Sequence, residues 1–255
     1  MLFNEIVYGP IHSRRLGVSL GINLMPTDCK LCTFNCIYCE CGWNTPVNHP
    51  ILPTSEQVRH ALLTALNKLT QQNVTPDVIT FSGNGEPTLH PQFETIVTDT
   101  CALRDQLCPD AKVTVLSNST QLFRADVVRA LRMVDNRILK LDSAIDKTMR
   151  LIDQPVNTEL TVGNIKQMLK QFNHDFTLQT CFLKGQVGDL TIDNTTPEEL
   201  TEYYKLVKEL APKDIMIYVI DRKTPCSTLQ KIEPQQMQEI ANCLRKMGFN
   251  VSVSA

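Results

Sequence analysis

Five of the ten cysteines lie within thirteen residues, between Cys29 and Cys41, and this density constrains the chain more than any other feature. Three of them, Cys32, Cys36 and Cys39, have the spacing C-x3-C-x2-C directly after a strand-like run. A loop this short can place three thiolates on one inorganic cluster, although a four-iron cluster usually takes four cysteines. Because one iron then keeps an open position, the spacing predicts a reactive metal centre rather than a closed structural one.

Two other uses of these cysteines stay open. A structural zinc ion takes four nitrogen or sulfur ligands, which Cys29, Cys32, Cys36 and Cys39 can supply, with His49 further along the chain. Zinc sites more often have two paired C-x2-C spacings, and that difference favours the cluster. A disulfide framework is disfavoured, because the chain is long enough to bury a core and its first residues do not resemble a secretory signal.

Composition places the chain in the range of one large α/β domain or two small ones, with 255 residues, 42% of them hydrophobic and 20% charged. The formal net charge of -2 gives no overall attraction to nucleic acid, so an RNA partner would need a local basic patch. His12, Arg14, Arg15 and Lys30 are the candidates for such a patch. No run of eighteen apolar residues occurs, and we expect a cytoplasmic protein without a membrane partner.

The apolar pattern alternates between strand and helix periods along most of the chain. The predicted strands cover residues 16–24, 77–83, 112–116, 137–141, 176–183 and 214–220, and the predicted helices residues 55–69, 93–107, 123–133, 162–172, 197–210 and 234–247. Six βα units in succession indicate a parallel sheet with right-handed crossovers, either rolled into a partial barrel or left open and doubly wound. Periodicity does not separate these two folds, because closure depends on strand tilt and stagger.

The cysteine spacing, with the aromatic Tyr38 just before the last cysteine, resembles the signature of radical S-adenosylmethionine (SAM) enzymes. The resemblance implies a [4Fe-4S] cluster on Cys32, Cys36 and Cys39, with its open iron chelated by the amino and carboxylate groups of SAM. It also implies that an electron from the cluster cleaves SAM reductively, and that the 5′-deoxyadenosyl radical so released abstracts hydrogen from a substrate.

The fold that this resemblance implies is α/β, a partial (β/α)6 TIM-like barrel with the cluster loop after the first strand. Six predicted βα units fit such a barrel better than a full barrel of eight units. We expect a single radical SAM domain over residues 1–255, with a core at about residues 16–248, a short N-terminal leader and a C-terminal strand near residues 250–255.

Polar residues follow the next predicted strands, and parallel α/β folds bind ligands beyond the carboxyl ends of their strands. Residues 83–86, Gly-Asn-Gly-Glu, resemble the Gly-Gly-Glu motif of radical SAM enzymes, whose backbone meets the amino group of SAM, with Asn84 inserted between the glycines. An ordinary turn is the alternative for this loop. Residues 117–120, Ser-Asn-Ser-Thr, suit the ribose and carboxylate of SAM, with Ser117 and Asn118 as the predicted contacts, or else Asn118 or Ser119 caps the helix that follows.

Two charged residues lie at the ends of later predicted strands. Asp142 is predicted to contact SAM or the substrate, or else to form an ion pair with Lys140. Arg222 suits a bidentate contact with the SAM carboxylate or a substrate phosphate, or else a surface pair with Asp221 or another acid. The predicted SAM contacts are Tyr38, Gly83, Asn84, Gly85, Glu86, Ser117, Asn118, Asp142 and Arg222.

The other cysteines lie singly along the chain, and packing in the core is the default expectation for them. They are Cys101, Cys108, Cys181, Cys226 and Cys243. No second compact C-x2-C motif occurs, so the sequence does not support an auxiliary iron–sulfur cluster. Cys29 and Cys41 flank the three predicted ligands and have no assigned role.

The resemblance extends to one branch of these enzymes. Residues 8–23, 81–88 and 221–222 resemble the wyosine-type radical SAM proteins, in which a tRNA guanosine is rebuilt by radical carbon insertion. In that group an N-terminal extension supplies cysteines for a second cluster, and a tRNA-associated segment follows the barrel. This sequence has neither, so we expect a minimal stand-alone form.

The sequence thus predicts a radical SAM enzyme, an oxidoreductase or transferase, that acts on an unidentified substrate for which RNA and peptide are the candidate classes. Such an enzyme needs an electron donor such as flavodoxin or ferredoxin. Two alternatives stay open: an activating enzyme that abstracts hydrogen from a glycine of a partner protein, and a non-enzymatic zinc-binding module for nucleic acid. The sequence assigns no catalytic residue, because substrate pockets follow no transferable motif.

Overall fold

The computed structural model describes residues 2–13, 17–46 and 48–255, apart from the side chain of Ser13. The chain divides into two compact units, the first made of Met1–Cys32 and Asn44–Arg137 and the second of Thr33–Trp43 and Ile138–Ala255. The expectation of a single domain over residues 1–255 stays a prediction, and the start of the first predicted strand at Leu16 lies outside the described residues.

The first unit alternates strands and helices. Its elements are β1 (Val7–Ser13), β2 (Gly17–Ile22), α1 (Ser55–Gln71), β3 (Val78–Phe81), α2 (Phe93–Leu107), β4 (Lys112–Ser117) and α3 (Ala125–Met133). β1 pairs with β2 in antiparallel fashion, whereas β2, β3 and β4 pair in parallel. Ile22, Phe81 and Val115 are in register. The loops that follow these three parallel strands therefore leave the sheet on the same side, at the carboxyl ends of the strands.

The short strand β3 is buried on both of its faces. All four of its residues, Val-Ile-Thr-Phe, are buried, as expected for a parallel strand covered by helices. The longer helix α1 begins at a capping box, in which Thr54 and Gln57 each bond the backbone of the other. Its apolar residues recur at helical spacing and are buried against the unit; they are Val58, Leu62, Leu66 and Leu69.

The second unit repeats the alternation. Its elements are the end of β5 (Asn136–Lys140), α4 (Asp146–Asp153), α5 (Val162–Leu169), β6 (Thr177–Val187), β7 (Leu190–Asp193), α6 (Pro197–Leu210), β8 (Asp214–Val219), β9 (Gln230–Lys231), α7 (Pro234–Lys246) and β10 (Asn250–Ser254). β5, β6, β8 and β10 pair in parallel in that order. β6 continues beyond its parallel neighbours, and its last residues pair with β7 and β9 in antiparallel fashion.

The segment that carries Cys36 and Cys39 is anchored in the core of the second unit. Ile37 is completely buried in one apolar cluster with Ile152 of α4 and with Cys181 and Leu183 of β6. The amide of Ile37 also donates to the carbonyl of Ile152 at 2.9 Å. Apolar packing and a backbone hydrogen bond therefore fix the middle of the cysteine loop to this unit.

The predicted helices are all present among the described residues, and α2 and α6 have the predicted bounds. The helix predicted from residue 123 begins at residue 125, and α5 ends at residue 169 before a short 3-10 turn. Four elements, β1, α4, β7 and β9, were not predicted, because they are short or are interrupted by glycine and proline. No helix within the described ranges combines the length and the apolar character needed to cross a bilayer.

Candidate active site

In the first unit, the loop after β3 lies directly against the residue before Cys32. The amide of Leu31 donates to the carbonyl of Asn84 at 2.9 Å, and the amide of Glu86 donates to the carbonyl of Leu31 at 3.1 Å. Gly85 stands between these bonds with a φ of 144°, and a Cβ atom there would lie 1.7 Å from the Leu31 carbonyl oxygen. Only glycine permits this approach, so this contact, the glycine clamp, fixes where the cysteine loop begins.

Asn84 uses its whole side chain within the first unit. Its Oδ1 accepts the amide of Phe3 at 2.8 Å, and its Nδ2 donates to the carbonyls of Phe3 and Pro26, each at 2.7 Å. Its own amide donates to Asn23 Oδ1 at 3.0 Å, and a Cβ atom on Gly83 would lie 2.5 Å from that oxygen. Asn84 therefore joins separate segments of the unit, and the protein occupies its side chain and also bonds its backbone amide and carbonyl.

Glu86 is only 2% exposed, and its carboxylate is occupied by the protein. It accepts the amide and the hydroxyl of Thr88 at 3.1 and 2.5 Å, the hydroxyl of Ser117 at 2.9 Å and the amide of Asn118 at 2.7 Å. Burial raises the pKa of Glu86, and these hydrogen bonds act in the opposite direction. The side chain thus ties the loop after β3 to the loop after β4.

Asn118 connects the loop after β4 to the first predicted cluster ligand. Its Nδ2 donates to Cys32 Sγ at 3.5 Å, and its Oδ1 accepts the amide and the hydroxyl of Thr120 at 3.1 and 2.7 Å. Asn118 therefore caps a local turn, and the alternative that it caps the next helix is wrong, since α3 follows Arg124 and has no side-chain cap. An amide donor on a cysteine sulfur is the kind of contact that tunes iron–sulfur clusters.

In the second unit, Cys36 faces the end of α4. Its Sγ donates to Asp153 Oδ1 at 3.5 Å, and the amide of Asn35 donates to the Asp153 carbonyl at 2.9 Å. The Cys39 amide donates to the Cys36 carbonyl at 3.1 Å, which closes a turn between the two predicted ligands. Asp153 is a site residue that the sequence analysis missed, because the eight-residue helix that ends in it was not predicted.

Lys140 lies buried between two carboxylates. Its Nζ is 2.8 Å from Asp142 Oδ2 and forms a second, shorter contact with Asp153 Oδ1. Burial opposes the charge of Lys140, but Asp142 and Asp153 outweigh it and raise the lysine pKa well above its usual range. For Asp153, burial raises the pKa to about 7, although Lys140 acts in the opposite direction. The Lys140–Asp142 ion pair, one of the two predicted alternatives, is present.

Tyr38 meets the same acidic group. The Tyr38 hydroxyl donates to Asp142 Oδ2 at 2.5 Å and accepts a longer hydrogen bond from the Tyr218 hydroxyl at 3.4 Å. Burial and the charge of Asp142 raise the pKa of Tyr38 well above its usual range, so the phenol stays protonated. Asp142 also accepts the amide of Cys181 at 2.9 Å, and with Lys140 its carboxylate has three donors from the protein.

Arg222 lies on the surface of the second unit, with 68% of its side chain exposed. Its Nη1 donates to Glu40 Oε2 at 2.6 Å, so the predicted alternative of a surface pair with an acid is confirmed, with Glu40 as that acid. Asp221 contacts Lys231 at 3.2 Å. Glu40 follows Cys39 directly, and this pair places Arg222 beside the cysteine loop.

Two other expectations need correction. Lys30 is only 4% exposed, so it does not contribute to a basic surface patch, while Arg14 and Arg15 lie outside the described residues. Of the scattered cysteines, Cys108 and Cys181 are buried as expected, but Cys243 is exposed at the surface of α7, where core packing is the wrong explanation.

The three predicted ligands are thiols, the donors that iron–sulfur clusters and structural zinc sites both take. Among the described residues, no three histidine, cysteine, aspartate or glutamate side chains lie close enough together to hold one metal ion. A [4Fe-4S] cluster takes each cysteine on a different iron, so its ligands need not meet at one point. Asn23 Nδ2 in the first unit and Asp153 Oδ2 in the second are buried without a partner in the described part of the chain, and are available to a bound group.

Comparison with solved structures defines the fold. SuiB of Streptococcus suis, bound to SAM, covers 92% of this chain with a TM-score of 0.66 and 13% identity, over 50% of its own length. TYW1 with a lysine–pyruvate adduct covers 89% with a TM-score of 0.63 and 15% identity, over 73% of its own length. The chain has the fold of the radical SAM enzymes, and the predicted fold class is confirmed.

Curated relatives narrow this class to one family, although no family model matches the chain. A UPF0026 protein of Synechocystis is 30% identical over 225 residues, 86% of this chain and 77% of that protein. The chain belongs to the UPF0026 family. A UPF0026 protein of Helicobacter pylori is 35% identical over 184 residues, 71% of this chain and 57% of that protein. The match covers only part of most of these relatives. It spans 57% of the Helicobacter pylori protein, and between 34% and 61% of the length of three other curated relatives.

Proposed function

We propose that this protein is a radical SAM enzyme, an oxidoreductase or transferase, in which Cys32, Cys36 and Cys39 bind a [4Fe-4S] cluster. The observation that carries the proposal is the glycine clamp. Two backbone hydrogen bonds join Leu31, the residue before Cys32, to Asn84 and Glu86 on either side of Gly85, so the cysteine motif and the loop that resembles Gly-Gly-Glu begin at one place in the first unit. When bound, the cluster would supply the electron that cleaves SAM reductively and starts hydrogen abstraction from a substrate.

The predicted SAM contacts divide into two roles. Four side chains each bond three or more groups of the protein and act as positioning residues; they are Asn84, Glu86, Asn118 and Asp142. The others supply the contacts themselves: Gly83 and Gly85 through the backbone, Arg222 through its guanidinium group, and Tyr38 and Ser117 through side chains whose hydroxyls also bond Asp142 and Glu86. Arg222 can exchange the carboxylate of Glu40 for that of a ligand, because an exposed ion pair holds its members weakly.

Metal analysis of protein purified without oxygen tests the cofactor. We expect about four irons and four sulfides per chain, a brown colour, and 5′-deoxyadenosine formation when SAM and a strong reductant are added. Cys36→Ala should lose the cluster and the product together. Cys243→Ala is the matched control, because this cysteine is exposed and should leave both unchanged. A colourless protein that contains only zinc would establish the zinc-binding alternative instead.

The substrate class is the finer part of the proposal. We take RNA as the first candidate, because residues 8–23 and 221–222 resemble the wyosine-type enzymes. Peptide is the second candidate, because SuiB, whose fold is similar, has been crystallised with its precursor peptide SuiA bound. The small net charge favours neither class.

Deuterium transfer distinguishes the two classes. Total tRNA and total protein are prepared from cells grown in heavy water, and each is incubated with the loaded enzyme, SAM and reductant. Deuterium in 5′-deoxyadenosine from the tRNA alone supports RNA. Deuterium from the protein alone supports a peptide substrate or the activation of a partner protein. The same reaction with flavodoxin or ferredoxin in place of a chemical reductant tests the proposed electron donor.

The cytoplasmic location expected from the sequence stays a prediction.

A further inference from the structure

A buried group of charges in the second unit holds the segment that carries Cys36. Lys140 Nζ contacts the carboxylates of Asp142 and Asp153 and lies over the rings of Phe34 and Tyr38, 4.9 and 5.5 Å from their centroids. Asp153 in turn accepts the Cys36 thiol. The Lys140 ammonium group therefore contacts two aromatic residues of the cysteine segment directly. It reaches the predicted cluster ligand Cys36 only through Asp153.

The charges of this group do not cancel. One lysine and two aspartates give a formal sum of -1, and all three side chains are nearly or completely buried. Asp142 has three donors from the protein, but Asp153 Oδ2 has no partner among the described residues. Charges buried in this way are screened little by salt, so they act strongly on a neighbouring metal centre.

Binding of a cluster changes what Cys36 presents to this group. A cysteine ligand is a thiolate, which has no proton to donate to Asp153. The thiolate and the Asp153 carboxylate are then neighbours of like charge, and the Lys140 ammonium is the positive charge that lies against that carboxylate. Reduction adds one more electron to the cluster, which the carboxylate disfavours and the ammonium favours.

We propose that Lys140 and Asp153 are positioning residues that set the reduction potential of the cluster through Cys36, with opposite effects. This rests on the proposed function, because it requires a cluster at that cysteine. Asp153 lowers the reduction potential and so makes the reduced cluster a stronger reductant. Lys140 raises the potential, and its positive charge offsets the repulsion between the buried carboxylates and the thiolate of Cys36. Asp142 serves as the fixed partner that holds Lys140 in place.

A series of three variants separates this role from simple loss of structure. Asp153→Asn removes one negative charge with little change of shape and should raise the midpoint potential. Lys140→Met removes the positive charge and should lower it. The double variant removes both, which keeps the formal sum at -1, and should return the potential close to that of the unchanged protein. Lys166→Met is the matched control, because Lys166 pairs with Glu209 at the surface of the same unit.

The measurement is a redox titration of the loaded protein without SAM, followed by electron paramagnetic resonance. It is run at about pH 8.5, where carboxyl groups of ordinary pKa are ionised. We expect Asp153→Asn to change the ratio of reduced to oxidised cluster at fixed potential at least tenfold, a rise of about 59 mV for a one-electron couple. Lys166→Met should leave the midpoint unchanged.

The outcomes distinguish the inference from the function on which it rests. An unchanged protein that binds no iron–sulfur cluster contradicts the proposed function. If it binds the cluster but Asp153→Asn leaves the potential unchanged or lowers it, the inference is wrong and the function stands. If Lys140→Met binds no cluster, the inference still requires a raised potential in Asp153→Asn and a near-normal one in the double variant. Loss of the cluster in a folded Asp153→Asn protein would assign that residue a structural role and overturn the inference.

Discussion

The glycine clamp predicts that Gly85→Ala is among the most damaging single-methyl changes in the chain. The new Cβ would lie 1.7 Å from the Leu31 carbonyl oxygen, a backbone atom that cannot rotate away as a side chain can. Overpacking costs about 1–3 kcal/mol, and a side chain at a φ of 144° adds about 1–3 kcal/mol of backbone strain. The free energy of unfolding should therefore fall by about 2–6 kcal/mol.

Gly188→Ala separates collision from strain. Gly188 also has a positive φ, 58°, but a Cβ atom there meets nothing within 4 Å, so only the conformational cost of about 1–2 kcal/mol applies. Urea unfolding of the metal-free proteins gives the loss of stability from the shift in midpoint at constant slope. Iron content after anaerobic reconstitution shows whether Cys32 still reaches the cluster. Equal losses in the two variants, with full iron in Gly85→Ala, would show that the clamp does not position the cysteine loop.

Three further substitutions test the division between positioning and contact residues. Glu86→Ala should cost at least about 3 kcal/mol of unfolding free energy, because it leaves four buried donors unpaired, and Glu86→Gln should cost less; chemical unfolding measures both. Tyr38→Phe should cost about 1–3 kcal/mol by the same measurement, because the bond to Asp142 is buried. Arg222→Ala should change stability by less than about 1 kcal/mol, since its pair with Glu40 is exposed. A large rise in the KM for SAM in that variant would support its role as a contact residue, and an unchanged KM would contradict it.

The parts of the fold that follow from local sequence were predictable. Repeated strand and helix periods indicated parallel βα units, and Thr54, a residue type that caps helices, directly precedes the predicted start of α1. The cysteine spacing and the Gly-Asn-Gly-Glu loop are also local patterns, and they identified the segments that meet at the glycine clamp. Short elements were missed, because α4 has only eight residues and β1 contains Gly9 and Pro10.

The partners of the polar residues were not predictable, because they depend on contacts between distant parts of the chain. Glu86 reaches Asn118 across 32 positions, and Asn84 reaches Phe3 across 81. Asp153 lies 117 positions from Cys36, in a segment with no motif of its own. Periodicity and spacing describe only near neighbours, so the sequence could identify which residues were polar but not which ones the fold would occupy.

That distinction bears on how the loops after β3 and β4 can recognise a cationic amino group. Such a group needs acceptors, and Glu86 is the obvious one by charge, yet four donors of the protein already occupy its carboxylate. Replacing any of them by a ligand would leave a buried donor unpaired, at about 1–3 kcal/mol. Backbone groups of the glycine loop carry no such penalty, because the absence of side chains exposes them to close approach. The proposed contact with the amino group of SAM therefore falls to the backbone of Gly83 and Gly85, while the acid beside them holds the next loop in place.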